Sequence, residues 1–146
     1  MGISQVLVAQ HREQYSKEIF IDQVDTLKYR MMMPKDFDVS KQYPVVLFLH
    51  GAGERGNDNT AQLTHGSKLF TEKVNRGAFP AIIIFPQCPK SLYWANATVD
   101  RTSRPVKLEF PLDIVPTKPL DLVMKLMDVM VVKPYVDQQR IYAVSY

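Results

Sequence analysis

Three short, unbroken apolar runs set what this chain can fold into. Val45 to Leu49, Ala81 to Phe85 and Ile141 to Val144 are rich in β-branched and aromatic residues, and none contains a charge. A strand with one wet face alternates polar and apolar residues. An unbroken run instead predicts a strand covered on both faces, as in a parallel sheet clad by helices. The runs are too short for buried helices, which need about 10–12 residues. The first is approached through Tyr43-Pro44 and left through His50-Gly51, and the second lies between Pro80 and Pro86. The segments between the runs are long enough to cross from one parallel strand to the next.

The remaining pattern completes this architecture. Tyr15 to Asp22 alternates, with Ile19 and Ile21 on one face and Phe20 on the other, which predicts a strand. Leu27 to Met33 predicts a second strand, stopped by Pro34, and the short Asp22 to Thr26 link predicts an antiparallel hairpin. Lys35 to Gln42 is a polar loop. Thr60 to Asn75 has room for a first helix. A second is marked by Leu120, Val123, Met124, Met127 and Met130 or Val131 at helical spacing. Thr117 is placed to cap it, Pro119 falls in its first turn and Pro134 ends it. A methionine stripe of this kind reads as core packing. Ser91 to Pro116 shows no period and reads as a long excursion over the C-terminal edge of the sheet. The order is hairpin, then β-α-β-α-β. It predicts an α/β fold with a mainly parallel sheet and an antiparallel N-terminal hairpin.

Composition removes several alternatives. With 46% hydrophobic residues in 146, the chain can build one ordinary core. Its net charge of +3 comes from 18 basic and 15 acidic residues scattered along it, without the basic stripe that a nucleic-acid partner requires. No apolar run approaches the roughly 18 residues that span a membrane. Cys88 is the single cysteine, so an intrachain disulfide and a cysteine metal site are both excluded, and it reads as a small semi-buried hydrophobe. Residues 1–14 form an N-terminal segment open to two readings. Gly2 to Ala9 is mildly apolar and ends in Val8-Ala9-Gln10, like the tail of a secretory signal, which implies a secreted or periplasmic protein. A frayed end leaves the cytoplasm open.

The chemistry concentrates after the first buried run, in Leu49-His50-Gly51-Ala52-Gly53-Glu54-Arg55-Gly56-Asn57-Asp58. Glycines at the C-terminal end of a sheet let backbone N–H groups approach a ligand. In an acyl-transfer enzyme such groups stabilise the oxyanion of a tetrahedral intermediate, at typically about 3–4 kcal/mol each. Gly51, Gly53 and Gly56 also spell G-x-G-x-x-G, but no acidic partner follows the second strand, where a dinucleotide site needs one about 20 residues on.

The run His50-Gly51-Ala52-Gly53-Glu54-Arg55-Gly56-Asn57-Asp58-Asn59 resembles α/β-hydrolases of a family of predicted esterases and peptidases, related to dienelactone hydrolases, polyhydroxyalkanoate depolymerases and feruloyl-type carbohydrate esterases. Tyr43 to Leu49 is similar to that family's third strand, and Phe85-Pro86-Gln87-Cys88-Pro89 with Trp94 to its fourth strand and following loop. Asp137 to Tyr142 is similar to the strand entering the nucleophile elbow. The resemblance implies that residues 15–146 are the N-terminal half of an α/β-hydrolase domain, ending near the fifth strand. It implies that Gly51 and Ala52 border the oxyanion hole, with Ala52 the N–H donor, and that Gly53, Gln87 and Trp94 lie at the substrate. Gln87 as a turn cap and Trp94 as a loop anchor are the competing readings. Glu54 and Arg55 are expected to form an ion pair at the rim.

The family's Gly-x-Ser-x-Gly elbow, counted from Arg140, puts the nucleophile just beyond Tyr146, with Ser145 where the elbow has glycine. In a second register, Ala143-Val144-Ser145-Tyr146 opens the elbow and Ser145 is the nucleophile. The acid and base follow the nucleophile in this fold, so His11, His50 and His65 are not the base. His50 is expected to buttress the oxyanion loop, His65 to lie near a helix and His11 in a mobile end. The resemblance therefore implies a serine-type carboxylic-ester hydrolase acting through an acyl-enzyme, without metal or organic cofactor, on a small-molecule or carbohydrate ester. A serine peptidase is the alternative within enzymes. A noncatalytic chain that acts by binding is the alternative outside them. The oligomeric state is left open. The fifth strand is expected to be a hydrophobic edge prone to aggregation.

Overall fold

In a computed structural model the described residues are 10–111 and 115–146. Five strands form one sheet: β1 Ser16–Asp22, β2 Asp25–Met32, β3 Tyr43–Leu49, β4 Ile82–Pro86 and β7 Val136–Ser145, in the order β1-β2-β4-β3-β7. β3 pairs in parallel with β4 and β7, while β1, β2 and β4 pair antiparallel, so the hairpin start and the parallel remainder are both as expected. The hairpin turns through Gln23, at φ 55°, and Val24.

The two faces carry different helices. Val45, Leu47, Ile82 and Ile84 face α3 (Lys118–Val131) and pack on its Leu122, Val123, Leu126 and Met130. Val46, Phe48, Ile83 and Phe85 face the other way, against Leu63, Phe70 and Tyr15. All five residues of β4 are buried, as an unbroken apolar run predicts. Thr117 caps α3 by accepting from the Leu120 amide at 3.3 Å, and Pro119 lies in the first turn. The buried stripe keeps Val123 and Met130 of the expected set, with Met127 partly buried beside them, and shifts at two points. Leu122 and Leu126 point inward, whereas Met124 is 51% exposed.

Three expectations change. The helix expected in Thr60 to Asn75 is a 3-10 turn, Ala61–Leu63, followed by two short helices, α1 Ser67–Thr71 and α2 Lys73–Ala78. Gly66 at φ 78° and the extended Glu72 interrupt it. The excursion Ser91 to Pro116 contains a small antiparallel hairpin, β5 Thr98–Asp100 with β6 Lys107–Glu109, and its residues 112–114 lie outside the described residues. β7 is the sheet's edge, as expected of the fifth strand, so its apolar run is not covered on both faces as the unbroken pattern alone predicts; Tyr142 is 52% and Val144 40% exposed. Its first contact pairs Val136 with Tyr43, after which Asp137 to Arg140 loop out before Ile141 rejoins Val45. Asp137 closes that irregularity by accepting from the Gln139 amide and from Arg140 Nε at 2.6 Å.

Gly2 to Ala9, the stretch that reads as a possible signal remnant, lies outside the described residues. Residues 10–13 are helical, and His11 Nε2 lies 3.1 Å from Ser67 Oγ, so His11 is held against α1 instead of in a mobile end. No helix among the described residues is long and apolar enough to cross a membrane.

Candidate active site

Topology selects one end of one strand. From β3 the chain passes to β4 on one side, and β7 later joins the other side, so the strand order reverses at β3. In open α/β sheets ligands bind at the C-terminal ends of the strands at such a reversal. That point is Leu49-His50-Gly51, followed by a 3-10 turn over Ala52–Glu54. The end of β7 meets it: Ser145 pairs with Leu49, and the Tyr146 amide donates to the Leu49 carbonyl at 3.0 Å. Gly51 leaves little room for a side chain. A Cβ on it would sit 3.2 Å from Glu54 Oε2 and 3.4 Å from the Tyr146 ring.

His50 holds the turn from beneath. It is 3% exposed, and its Nε2 accepts from the Cys88 amide at 2.9 Å. A backbone N–H can only donate, so the proton sits on Nδ1, which donates to the Gly51 carbonyl at 2.7 Å. Burial holds the imidazole pKa below its ordinary value, which keeps this neutral tautomer. A trans peptide sets its C=O and N–H in opposite directions. Fixing the Gly51 carbonyl on His50 therefore aims the Ala52 N–H away from the core. Ala52 and Gly53 are exposed, and the first amides of a helical turn have no partner within it. Gly53 has open space where a Cβ would be. Trp94 closes the side, donating from Nε1 to the His50 carbonyl at 3.0 Å, while Thr117 Oγ1 donates to the Trp94 carbonyl at 2.8 Å. It is partly buried and anchors the root of the excursion to the strand end.

The second half of the glycine-rich run is pinned by a buried polar network. Gln87 is 2% exposed; its Oε1 accepts from the Asn59 amide and its Nε2 donates to Asp58 Oδ1 and the Glu54 carbonyl. Both Gln87 donors are thus engaged within the loop. Asp58 Oδ1 also accepts from the Thr60 and Ala61 amides, which hold its carboxyl below the usual range. Asn59, at φ 52°, bonds Gln62, and its carbonyl accepts from the buried Arg30 at 2.9 Å. Arg30 in turn gathers the Arg12 and Tyr15 carbonyls.

Glu54 and Arg55 do not pair. Glu54 Oε1 lies 3.3 Å from His65 Nε2, and the His65 ring stacks on Tyr146 with centroids 4.7 Å apart. Arg55 turns to backbone carbonyls and to the Tyr93 ring. Neighbours in sequence on a tight turn diverge, so adjacency misled. His65 does lie beside a helix, immediately before Gly66 and α1. Cys88 is fully buried rather than semi-buried, and burial pushes its thiol up to about 11. Ser145 is exposed at the last ladder position of β7. Sequence reasoning missed His65, Tyr146, Arg30 and Asn59. Only Asn59, inside the motif and of a type that tolerates positive φ, carried a local signal. Among the described residues no group of three or more His, Cys, Asp or Glu gathers as a metal site.

Solved structures share this fold. A thermostable esterase superposes with a TM-score of 0.76 at 31% identity, over 93% of this chain and 35% of the esterase. The chain has the α/β-hydrolase fold. A ferulic acid esterase shares that fold with a TM-score of 0.56 at 19% identity, over 90% of this chain and 49% of the enzyme. The acylaminoacyl peptidase of Pyrococcus horikoshii does so with a TM-score of 0.52 at 13% identity, over 99% of this chain and 21% of the peptidase. These two show the fold alone. All three neighbours are hydrolases, and this chain spans less than half the length of each. No family model and no curated protein matches the sequence.

Proposed function

We propose that this chain supplies the oxyanion side of a serine-type carboxylic-ester hydrolase. The observation that carries the reading is the exposed turn at Gly51 to Glu54, pinned from beneath by His50 and abutting Tyr146 at the end of β7. An elbow nucleophile stands on the sharp turn just past its strand. Ser145 is still in the ladder opposite Leu49, which favours the position directly after Tyr146. That serine attacks the ester carbonyl after its proton passes to a histidine base, and the carbonyl oxygen becomes an oxyanion facing the Ala52 amide. Collapse expels the alcohol and leaves an acyl-enzyme, which water hydrolyses by the same route. Gln87 enters this reading as a residue that shapes the loop, and Trp94 as one wall beside the substrate. The substrate is a small-molecule or carbohydrate ester. The similarity to the thermostable esterase supports ester over amide.

The test is fluorophosphonate labelling of the protein at its full genetic length, with the modified serine located by mass spectrometry. Label on the residue after Tyr146, with ester reporters turned over faster than amide reporters, is the expected result. Label on Ser145 would move the nucleophile by two positions. No label on any serine would overturn the reading and leave a binding role.

A further inference from the structure

Arg55 stands at the junction between the oxyanion turn and the excursion that follows β4. Its Nε donates to the Ala52 carbonyl at 2.8 Å. Its Nη1 donates to the Lys90 and Leu92 carbonyls at 2.9 and 3.0 Å, and its guanidinium carbon lies 3.8 Å from the centre of the Tyr93 ring. No carboxylate pairs with it among the described residues. A cation used wholly on backbone carbonyls and a ring is a geometric part, and its planar fork suits several fixed acceptors at once.

The Ala52 carbonyl belongs to the peptide whose N–H is that of Gly53. Drawing that oxygen onto Arg55 fixes the plane and turns the Gly53 N–H the opposite way. His50 does the same one residue earlier, through the Gly51 carbonyl. Two successive peptides of the turn are therefore each held by one side chain. Arg55 adds a second hold, because the same guanidinium grips the loop at Lys90 to Tyr93. We propose that Arg55 is a positioning residue that sets the Ala52–Gly53 peptide of the oxyanion turn and makes its orientation depend on the 90–93 loop. The inference rests on the hydrolase reading for its catalytic consequence and on the hydrogen bonds alone for its structural one.

Ala52 and Gly53 keep their places in Arg55→Ala, but the peptide between them is free to tilt. The Gly53 N–H on that peptide stands next to the Ala52 donor in the exposed turn, so the expected result of losing its aim is a fall in kcat of about tenfold to a hundredfold, with KM within about threefold. Added guanidinium ion is expected to restore part of kcat. Arg55→Lys recovers less than half of the loss, since one ammonium cannot reach Ala52 and the 90–92 carbonyls together. Tyr93→Leu keeps the Ala52 bond and loosens the loop, so it gives a smaller loss in the same direction. A loss confined to KM, or one matched by a collapse of the thermal midpoint and not rescued by guanidinium, would overturn the proposal. The Gly53 amide resonance, read in the labelled chain, is independent of any activity. A shifted, faster-exchanging Gly53 amide in Arg55→Ala supports the hold, and an unchanged one overturns it. An unaltered full-length protein that takes no fluorophosphonate would sink the hydrolase reading without touching that result.

Discussion

Ala52 can lose its amide hydrogen with almost no change in backbone shape. It is the first residue of the 3-10 turn, and proline's fixed φ suits the first position of such a turn. Gly51 before it is extended, at φ −74° and ψ 177°, which the residue preceding a proline prefers. Ala52→Pro therefore separates the donor from the fold. Loss of one oxyanion donor costs about 10²–10³-fold in kcat, whereas the thermal midpoint should move by no more than about 3 °C. A variant that keeps full kcat would remove Ala52 from the site. His50 makes a second residue-scale prediction through its proton. Protonation would place an N–H against the Cys88 N–H and break the bond that supports the turn. Burial lowers the folded-state pKa below 6.5, so the unfolded chain binds the proton first as pH falls. The stability from His50 is thus complete above that ordinary value and is lost as pH drops through the folded one. Thermal midpoints between about pH 8 and pH 5 should fall more for the unaltered chain than for His50→Asn, which does not titrate there. Parallel curves would assign the titration elsewhere.

At the scale of elements, legibility followed how local each cause was. β3 and β4 were readable because being buried on both faces writes itself into five consecutive residues. The Thr117 cap was readable because a cap is a contact three residues long. The interruption of the first crossover helix was not, since its cause is remote. A Cβ at Gly66 would meet Phe48 Cζ at 2.5 Å, across eighteen positions of sequence, and the residue also takes φ 78°. Nothing near Gly66 announces Phe48. The stripe of α3 was legible in Val123 and Met130 but not at Met124, for a related reason. Methionine and leucine are equally apolar in a sequence, and only the sheet beneath decides that Leu126 goes in and Met124 stays out. The candidate site divides in the same way. The glycine-rich turn and its strand were visible in one contiguous run. The clasp of Glu54 on His65, and of His65 on Tyr146, joins three segments brought together only by the sheet order.

For the molecule as a whole, β7 decides behaviour in solution. Its Ile141 to Val144 run has the composition of an interior strand, yet no described strand pairs with its outer edge. Tyr142 and Val144 lie opposite Val46 and Phe48 in the ladder and share their face, and both are largely open. An apolar ladder with free backbone groups on one side is a template for another chain. The 146-residue chain is therefore expected to self-associate through this edge. A lysine there desolvates poorly and repels its counterpart on a second copy. Val144→Lys should raise the concentration at which association begins by about tenfold, equivalent to roughly 1.4 kcal/mol, with little effect on the core that β3 and β4 share with α3. Sedimentation of the two forms over a concentration series measures it directly. Association unchanged by Val144→Lys, or a monomeric unaltered chain with one sharp unfolding transition, would mean that the edge is not the sticky surface. In that case the exposed apolar residues around Leu69 and Phe79, beside α1 and α2, become the surface to alter next.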